Sequence, residues 1–362
     1  MHVTALNGIC PYYTMYPLEF PLRALKRVGN ATEWVLDPFC GRGTTNFAAR
    51  LLGMPSIGVD SSPVAAALAK AKLVYASPAR IVASAQKILN AEEATTEIPN
   101  GAFWKLAYHE KTLRAICRLR AALCSDCSSS ARILLRAIVL GALHGPRPRG
   151  NPSYFSNQSP RTFAPKPNYA VKFWTEHHML PEDVDVLELI RVRADRYLAA
   201  TLLNVDGMIK LADSREPETF DGMPQFSWVV TSPPYYGMRT YLPDQWLRHW
   251  FLGGPDYVDY KQPATQLVHS SATHFASEMG RVWKNVAKIS SPDARLIVRF
   301  GGIHDRNAEP MDILRVSLAD SGWVISTAKR APDADNGRRQ VRQFQAAPRK
   351  SVTEHDVYCR LA

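Results

Sequence analysis

The chain is short of everything that would mark it as secreted, membrane-spanning or fibrous. Only 6 of its 362 residues are cysteine (Cys10, Cys40, Cys117, Cys124, Cys127 and Cys359). They are scattered along a long chain, which is not the pattern of a disulfide scaffold. The N-terminal stretch MHVTALNGICPYY has no basic-then-apolar leader, so the expected compartment is a reducing cytoplasm. The longest apolar stretch, ILLRAIVLGAL over Ile133–Leu143, is short and broken by Arg136, which predicts no membrane span. No internal repeat or low-complexity tract appears, which excludes solenoids and arrays. Acidic residues are scarce: 33 Asp+Glu against 44 Lys+Arg leave a formal net charge of +11 and a pI near 9.4. That excess favours a polyanionic partner, nucleic acid or an acidic membrane surface, and is silent about fold. What is plentiful is apolar. Hydrophobic residues make up 46% and charged residues 21%, enough for a real core in one large domain or in a domain with a sizeable insertion.

Two stretches have the rhythm of an α/β unit. In the first, Glu33–Asp37 (EWVLD) is a short β-rich run that stops at an acidic residue. A glycine turn, Pro38-Phe39-Cys40-Gly41-Arg42-Gly43, follows, and Thr44–Leu52 reads as a helix. Gly53 stops it, and Pro55–Asp60 is the next strand, again ending in aspartate. Ser61–Val74 then shows serine caps, an early proline and an alanine-rich body, the signature of a helix start. The second stretch lies far downstream, with strands predicted at Met208–Leu211, Phe226–Val230, Ala294–Phe300, Gly322–Thr327 and Glu354–Arg360. Together these make seven strands of a parallel-type sheet wound by helices.

The residues after Tyr235 are all needed to finish that sheet, so a recognition element is expected only in the gap before it. The predicted division is 1–76 and 207–362 as two parts of one Rossmann-like α/β domain, with an inserted helical and loop-rich region at 77–206. Within the insertion, Ile81–Leu143 is helical in pattern and then breaks into His144–Gly150 and a Pro/Ser/Asn/Tyr-rich run, Asn151–Tyr169. Aromatics and cations interleave there: Tyr154, Phe155, Arg161, Phe163, Lys166, Tyr169, Lys172, Phe173 and Trp174. Rings beside cations suit unpaired bases and phosphates. A proline-stiffened surface excursion that packs its own aromatics accounts for the same residues, and both readings stand.

Two loops carry chemistry. Gly41 and Gly43 let backbone approach a ligand closely, and Thr44-Thr45 open a helix whose free N–H groups suit an electronegative group. Asp60, ending the next strand, is placed where an acidic side chain accepts hydrogen bonds from ribose hydroxyls in dinucleotide-type folds. The turn lacks the third glycine of the NAD pattern and opens on Asp37. A carboxylate there repels a pyrophosphate and suits an ammonium group, which favours S-adenosylmethionine over NAD. The second loop is Thr231-Ser232-Pro233-Pro234-Tyr235-Tyr236-Gly237, directly after an apolar strand. Consecutive prolines cannot continue a ladder, and they fix their carbonyls in space. Ser232, the Pro233 carbonyl and the Tyr235 ring thus offer two acceptors and a stacking face, a set that suits a planar amine.

Asp37–Thr45, Gly58-Val59-Asp60 and Thr231–Gly237 resemble the motifs of the S-adenosylmethionine-dependent DNA amino-methyltransferases, which methylate N4 of cytosine or N6 of adenine. Thr14–Pro21 resembles the family's N-terminal segment over the methionine end of the cofactor. Leu211–Arg215 resembles its strand-three segment, whose Asp meets the adenine amine. The likeness covers roughly Cys10–Tyr75 and Ile209–Leu361, with the cofactor motif first. Cys40 departs from it, standing where a small residue such as alanine is common.

The resemblance implies that Asp37, Phe39, Gly41, Gly43 and Thr44 hold the methionine part, with Tyr16, Pro17, Cys40 and Thr45 beside them. It puts Asp60 and Ser61 at the ribose and Asp213 and Ser214 at the adenine ring. Ser232 and the Pro233 carbonyl would grip the target amine and, with Pro234 and Tyr235, form the catalytic loop, Tyr235 stacking on a base flipped out of the duplex. No Gly-x-Ser-x-Gly elbow surrounds Ser232, so it is no hydrolase nucleophile. Serine ahead of Pro-Pro-Tyr leans toward cytosine N4, because the adenine enzymes more often carry Asp or Asn there.

Double-stranded DNA is the implied partner, with Arg147, Arg149, Arg161, Lys166, Arg338, Arg339 and Arg342 as candidate contacts. A cognate restriction endonuclease is a candidate partner protein. No metal is expected: Cys124-x-x-Cys127 has only Cys117 and His109 near it in sequence. An adenine-N6 enzyme, an RNA base-amine methyltransferase and a catalytically silent nucleic-acid-binding protein remain alternatives.

Overall fold

The structure is a computed structural model that describes residues 3–12, 16–26, 32–91, 97–146, 152–156, 158–160, 163–237, 241–261, 264–302, 308–332 and 353–362. It resolves into two compact units. One comprises Thr14–Leu73, Leu203–Arg239 and Gln262–Ala362, the other Met1–Tyr13, Val74–Leu202 and Thr240–Lys261.

The first unit holds a single sheet of seven strands: β1 (Val35–Asp37), β2 (Ser56–Asp60), β3 (Gly207–Leu211), β4 (Phe226–Thr231), β5 (Ser290–Gly301), β6 (Trp323–Arg330) and β7 (Glu354–Leu361). Their spatial order is β3-β2-β1-β4-β5-β7-β6. The first five run parallel and β7 runs antiparallel to both of its neighbours. This is a doubly wound, Rossmann-like sheet whose order reverses between β1 and β4, the crevice where ligands of such sheets bind. Every strand predicted from the sequence is present, several extended by a residue or more because ladder partners carry them past the local β-rich run. β5, for example, begins at Ser290 rather than Ala294.

Both β1 and β4 are buried nearly throughout, as the central strands of a covered parallel sheet must be. Leu36, Ile57, Val229, Leu296, Val298 and Val357 of the sheet pack with Phe275, Met279, Val282 and Trp283 of the helix Ala272–Lys288. The helix Thr44–Leu51 starts directly after the glycine turn. Pro63–Ala71 starts after Ser62, whose hydroxyl accepts from the Ala65 N–H at 3.4 Å.

The second unit is helical. Its centre is Ser130–Ala142, with ten of its thirteen residues buried, which is why the apolar run at Ile133–Leu143 looked so continuous. The sequence reading reserved everything after Tyr235 for the sheet, and here the structure differs. The helices Tyr241–Asp244 and Trp246–Phe251 lie between β4 and β5 in the chain, yet they belong to the helical unit. Trp246 and Trp250 bury their rings against Phe103 and Trp104, with centroids 4.9 and 4.5 Å apart. The apolar surface of these two short helices is satisfied there, and no period in the local sequence reveals which core will take them.

The aromatic run of the insertion divides. Tyr154, Phe155 and Trp174 are core residues, and the Trp174 indole donates to the Gln158 carbonyl at 3.1 Å. Tyr169 and Phe173 are exposed on the helix Pro167–Glu176, where they stack with His177 along one face.

Candidate active site

The site is built where β1 and β4 end side by side. Their register pairs Val35 with Trp228 and Leu36 with Val229, so Asp37 and Thr231 finish at the same level of the sheet. Asp37 is fully buried there. It accepts hydrogen bonds from the Thr231 hydroxyl at 2.6 Å, from the Tyr16 hydroxyl at 2.9 Å and from the Phe39 N–H at 3.1 Å. Thr45 lies 2.5 Å from the Tyr16 hydroxyl and donates to the Val230 carbonyl at 3.0 Å. One carboxylate thus ties together the segment at Tyr16, the end of β1, the first turn of the helix Thr44–Leu51 and the loop that opens with Ser232.

The glycine turn follows from backbone geometry. Gly41 and Gly43 have φ of 50° and 74°, a region L side chains rarely enter. A Cβ on Gly43 would also lie 2.8 Å from the backbone of Ala69, whereas at Gly41 it would meet open space. Cys40 is buried and its N–H donates to Val59, so it acts as a packing residue whose thiol burial holds well above its ordinary pKa. Phe39 lies edge-on against Trp283 at 6.0 Å. The Gly41 N–H donates to Asp60 at 2.8 Å and the Ser62 N–H does so to the other oxygen at 2.8 Å, so Asp60 closes the turn onto the end of β2. Ser61 connects Asp60 to that cap.

Burial pushes the carboxyl groups of Asp37 and Asp60 each up to about 6, against the hydrogen bonds that lower them. Among the described residues neither forms a salt bridge. Two carboxylates short of positive charge at the ends of adjacent strands suit a cation with hydrogen-bonding hydroxyls.

Asp213 is arranged differently from Asp60. Arg215 grips it with Nε 3.0 Å from both oxygens and Nη2 at 2.6 Å, and also reaches Glu278. Ser214 donates to the Pro38 carbonyl at 2.7 Å, which fastens the end of β3 to the glycine turn. The sequence reading named Asp213 and missed its clasp, although Arg215 stands only two residues away.

At the other loop, Ser232, Pro233, Pro234 and Tyr235 follow β4 without a break. The Tyr235 ring rests edge-on against Phe300 at 5.5 Å, and its hydroxyl donates to Glu354 at 3.1 Å. The Gly237 N–H donates to His269 Nδ1 at 3.0 Å and closes the loop. Neither Glu354 nor His269 was legible in the sequence, because each reaches the loop from a distant part of the chain. Pro17 is half-buried at the start of the Tyr16 segment. Lys166 belongs to the helical unit, its ammonium 5.9 Å from the Tyr260 ring. Arg147, Arg149, Arg161, Arg338, Arg339 and Arg342 lie outside the described residues. Among the described residues no helix is long and apolar enough to cross a membrane.

Residues 5–71, which hold Tyr16, the glycine turn and Asp60, match the DNA methylase family model. Over 68 residues the chain is 37% identical to the Type II methyltransferase M.MjaII of Methanocaldococcus jannaschii. Over this segment the chain is similar to DNA methylases. The matched segment spans 19% of this chain and 13% of the length of the archaeal methyltransferase. Solved structures similar to this chain include the rRNA methyltransferase aviRa from Streptomyces viridochromogenes, at 14% identity, a TM-score of 0.37 and coverage of 99% and 92% of the two chains. A TehB-like SAM-dependent methyltransferase from Corynebacterium glutamicum is similar at 8% identity and a TM-score of 0.35, covering 94% and 87%. Likeness at that level carries no argument about chemistry.

Proposed function

We propose that this protein methylates the exocyclic N4 amine of cytosine in DNA, with S-adenosylmethionine as donor. The single observation that carries the reading is the 2.6 Å hydrogen bond from Thr231 to Asp37. It joins the turn whose carboxylates suit a cationic cofactor to the first residue of the loop whose acceptors suit an amine. Donor and acceptor would then meet in one crevice at the switch point of the sheet.

The residues present fit the cofactor. Asp37 and Asp60 are carboxylates without ion-pair partners among the described residues, and Gly41 leaves open the space a side chain would fill. Asp37, with Phe39, Gly41, Gly43 and Thr44, would hold the amino-acid end, and Asp60 would hold the ribose, its oxygens already lined up by two backbone N–H groups. Asp213, steadied by Arg215, and Ser214 would border the adenine. When bound, the cofactor supplies an electrophilic methyl group on a sulfonium. The chain's own part is positioning: Ser232 and the Pro233 carbonyl accept the amine N–H groups, which turns the nitrogen lone pair toward the methyl group. Tyr235 stacks on the base, which must leave the duplex for its amine to be reached. No covalent enzyme intermediate is required.

The helical unit is the candidate target-recognition region, and Lys166 with the exposed Tyr169 and Phe173 is its candidate nucleic-acid surface. Serine at the head of the catalytic loop supports cytosine over adenine. This reading brings the cytoplasm as compartment and a cognate restriction endonuclease as candidate partner.

The test is direct. Protein, tritiated cofactor and either duplex DNA or total tRNA are incubated, and the labelled nucleosides are separated. Label in N4-methylcytosine supports the proposal. Label in N6-methyladenine or in tRNA replaces the substrate, and cofactor binding without any label makes the protein a silent binder. Sequencing DNA from expressing cells for modified cytosine would then give the target site.

A further inference from the structure

The Tyr235 phenol is held by a residue from the far end of the chain. Its hydroxyl lies 3.1 Å from Oε1 of Glu354, the first residue of β7. The antiparallel register puts Glu354 opposite Gly301. A Cβ at Gly301 would come within 3.3 Å of the Tyr235 ring and 3.0 Å of the Glu354 side chain, so the absence of a side chain there is what allows the two to meet. Phe300 holds the ring from its edge at 5.5 Å.

A carboxylate only accepts. Tyr235 must therefore donate to Glu354, which fixes the direction of its O–H bond and, with Phe300 at the ring edge, the plane in which the ring is offered to a base.

We propose that Glu354 is a positioning residue for methyl transfer, holding the Tyr235 phenol so that its ring meets the target base in one fixed orientation. This rests on the assignment of Ser232 and Tyr235 to the target amine and base. Nothing in the methyltransferase motifs points to Glu354, which lies 119 residues from Tyr235 in the chain.

The experiment compares Glu354→Gln, Tyr235→Phe and the double variant with the wild type. Glutamine keeps the shape of the side chain but can donate as well as accept, so the phenol is no longer bound to point one way. With the full-length protein, cofactor and duplex DNA, Glu354→Gln should lower kcat at least about tenfold while the cofactor Kd stays within about twofold. Tyr235→Phe leaves β7 untouched and should give the same split. The double variant should be no slower than the slower single variant, because Glu354 acts through Tyr235. A second readout does not need catalysis. 3-Fluorotyrosine placed at position 235 should show a 19F resonance that moves in Glu354→Gln. A kcat within about twofold of wild type, additive effects in the double variant, or an unmoved resonance would each overturn the proposal. A wild type that transfers no methyl group to DNA would instead sink the functional reading, and the fluorine measurement would still judge the bond between Tyr235 and Glu354.

Discussion

Asp37 and Asp60 flank the glycine turn, and both are raised to about 6 chiefly by burial. A cationic ligand binds best when they are ionised. Cofactor affinity measured by calorimetry should therefore be level above pH 7 and fall roughly tenfold by pH 5. Asp37→Asn should weaken binding at pH 7.5 and flatten that profile. The free protein shows the opposite trend. With folded-state values above the ordinary carboxylate value, the folded chain keeps protons that the unfolded chain has released between about pH 4 and 6. The contribution of these groups to stability is present at pH 4 and lost by about pH 6. The Tm difference between Asp37→Asn and wild type should accordingly swing in favour of the variant as pH rises through that window. The glycines separate two effects of backbone geometry. Gly41→Ala meets open space and should cost only the φ penalty, about 1–2 kcal/mol. Gly43→Ala adds a clash with the backbone of Ala69, so urea unfolding should show a clearly larger loss.

At the level of elements, β5 and β7 are joined by more than their ladder. Arg299 and Asp356 are register partners, both nearly fully buried, and they meet through two hydrogen bonds of 2.7 and 2.9 Å. The Arg299 guanidinium also lies 4.2 Å from the Phe20 ring centroid. Removing one partner leaves a buried charge without its counter-ion, so Asp356→Ala should destabilise by about 3–5 kcal/mol in denaturant titrations. Arg23 meets the same carboxylate from a largely exposed position at 3.5 Å, and Arg23→Ala should change stability by less than about 1 kcal/mol. This pair holds β7 in the register that places Glu354 beside Tyr235. A weakened β5–β7 ladder should therefore lower kcat before it lowers cofactor affinity. The glycine turn shows the opposite case, an element legible in advance: Asp37, two glycines and a helix start are consecutive, and their roles follow from local backbone geometry.

For the whole molecule, the excess of +11 charges predicts how DNA binding responds to salt. If phosphate contacts supply the affinity, log K should fall linearly with log salt by about 0.9 for each neutralised phosphate. Anisotropy titrations from 50 to 200 mM salt should give a slope of about −4 or steeper, and a slope near zero would speak against a polyanionic substrate. All seven strands, the glycine turn and the Ser-Pro-Pro-Tyr loop could be read from the chain because each is signalled within a few residues: β-rich runs that end at Asp37, Asp60 or Pro233, glycines where φ turns positive, and serine caps before the helices. Other features depended on partners far along the chain. These include the placing of β7 between β5 and β6, the passage of the helices at 241–251 into the helical unit, the clasp of Arg215 on Asp213 and Glu278, and the carboxylate of Glu354 on Tyr235. Hydrogen-bond register and the choice of which core buries an apolar face are settled between segments, by the surface each finds to pack against. A local run of residues carries the propensity to form an element but not the identity of its neighbour.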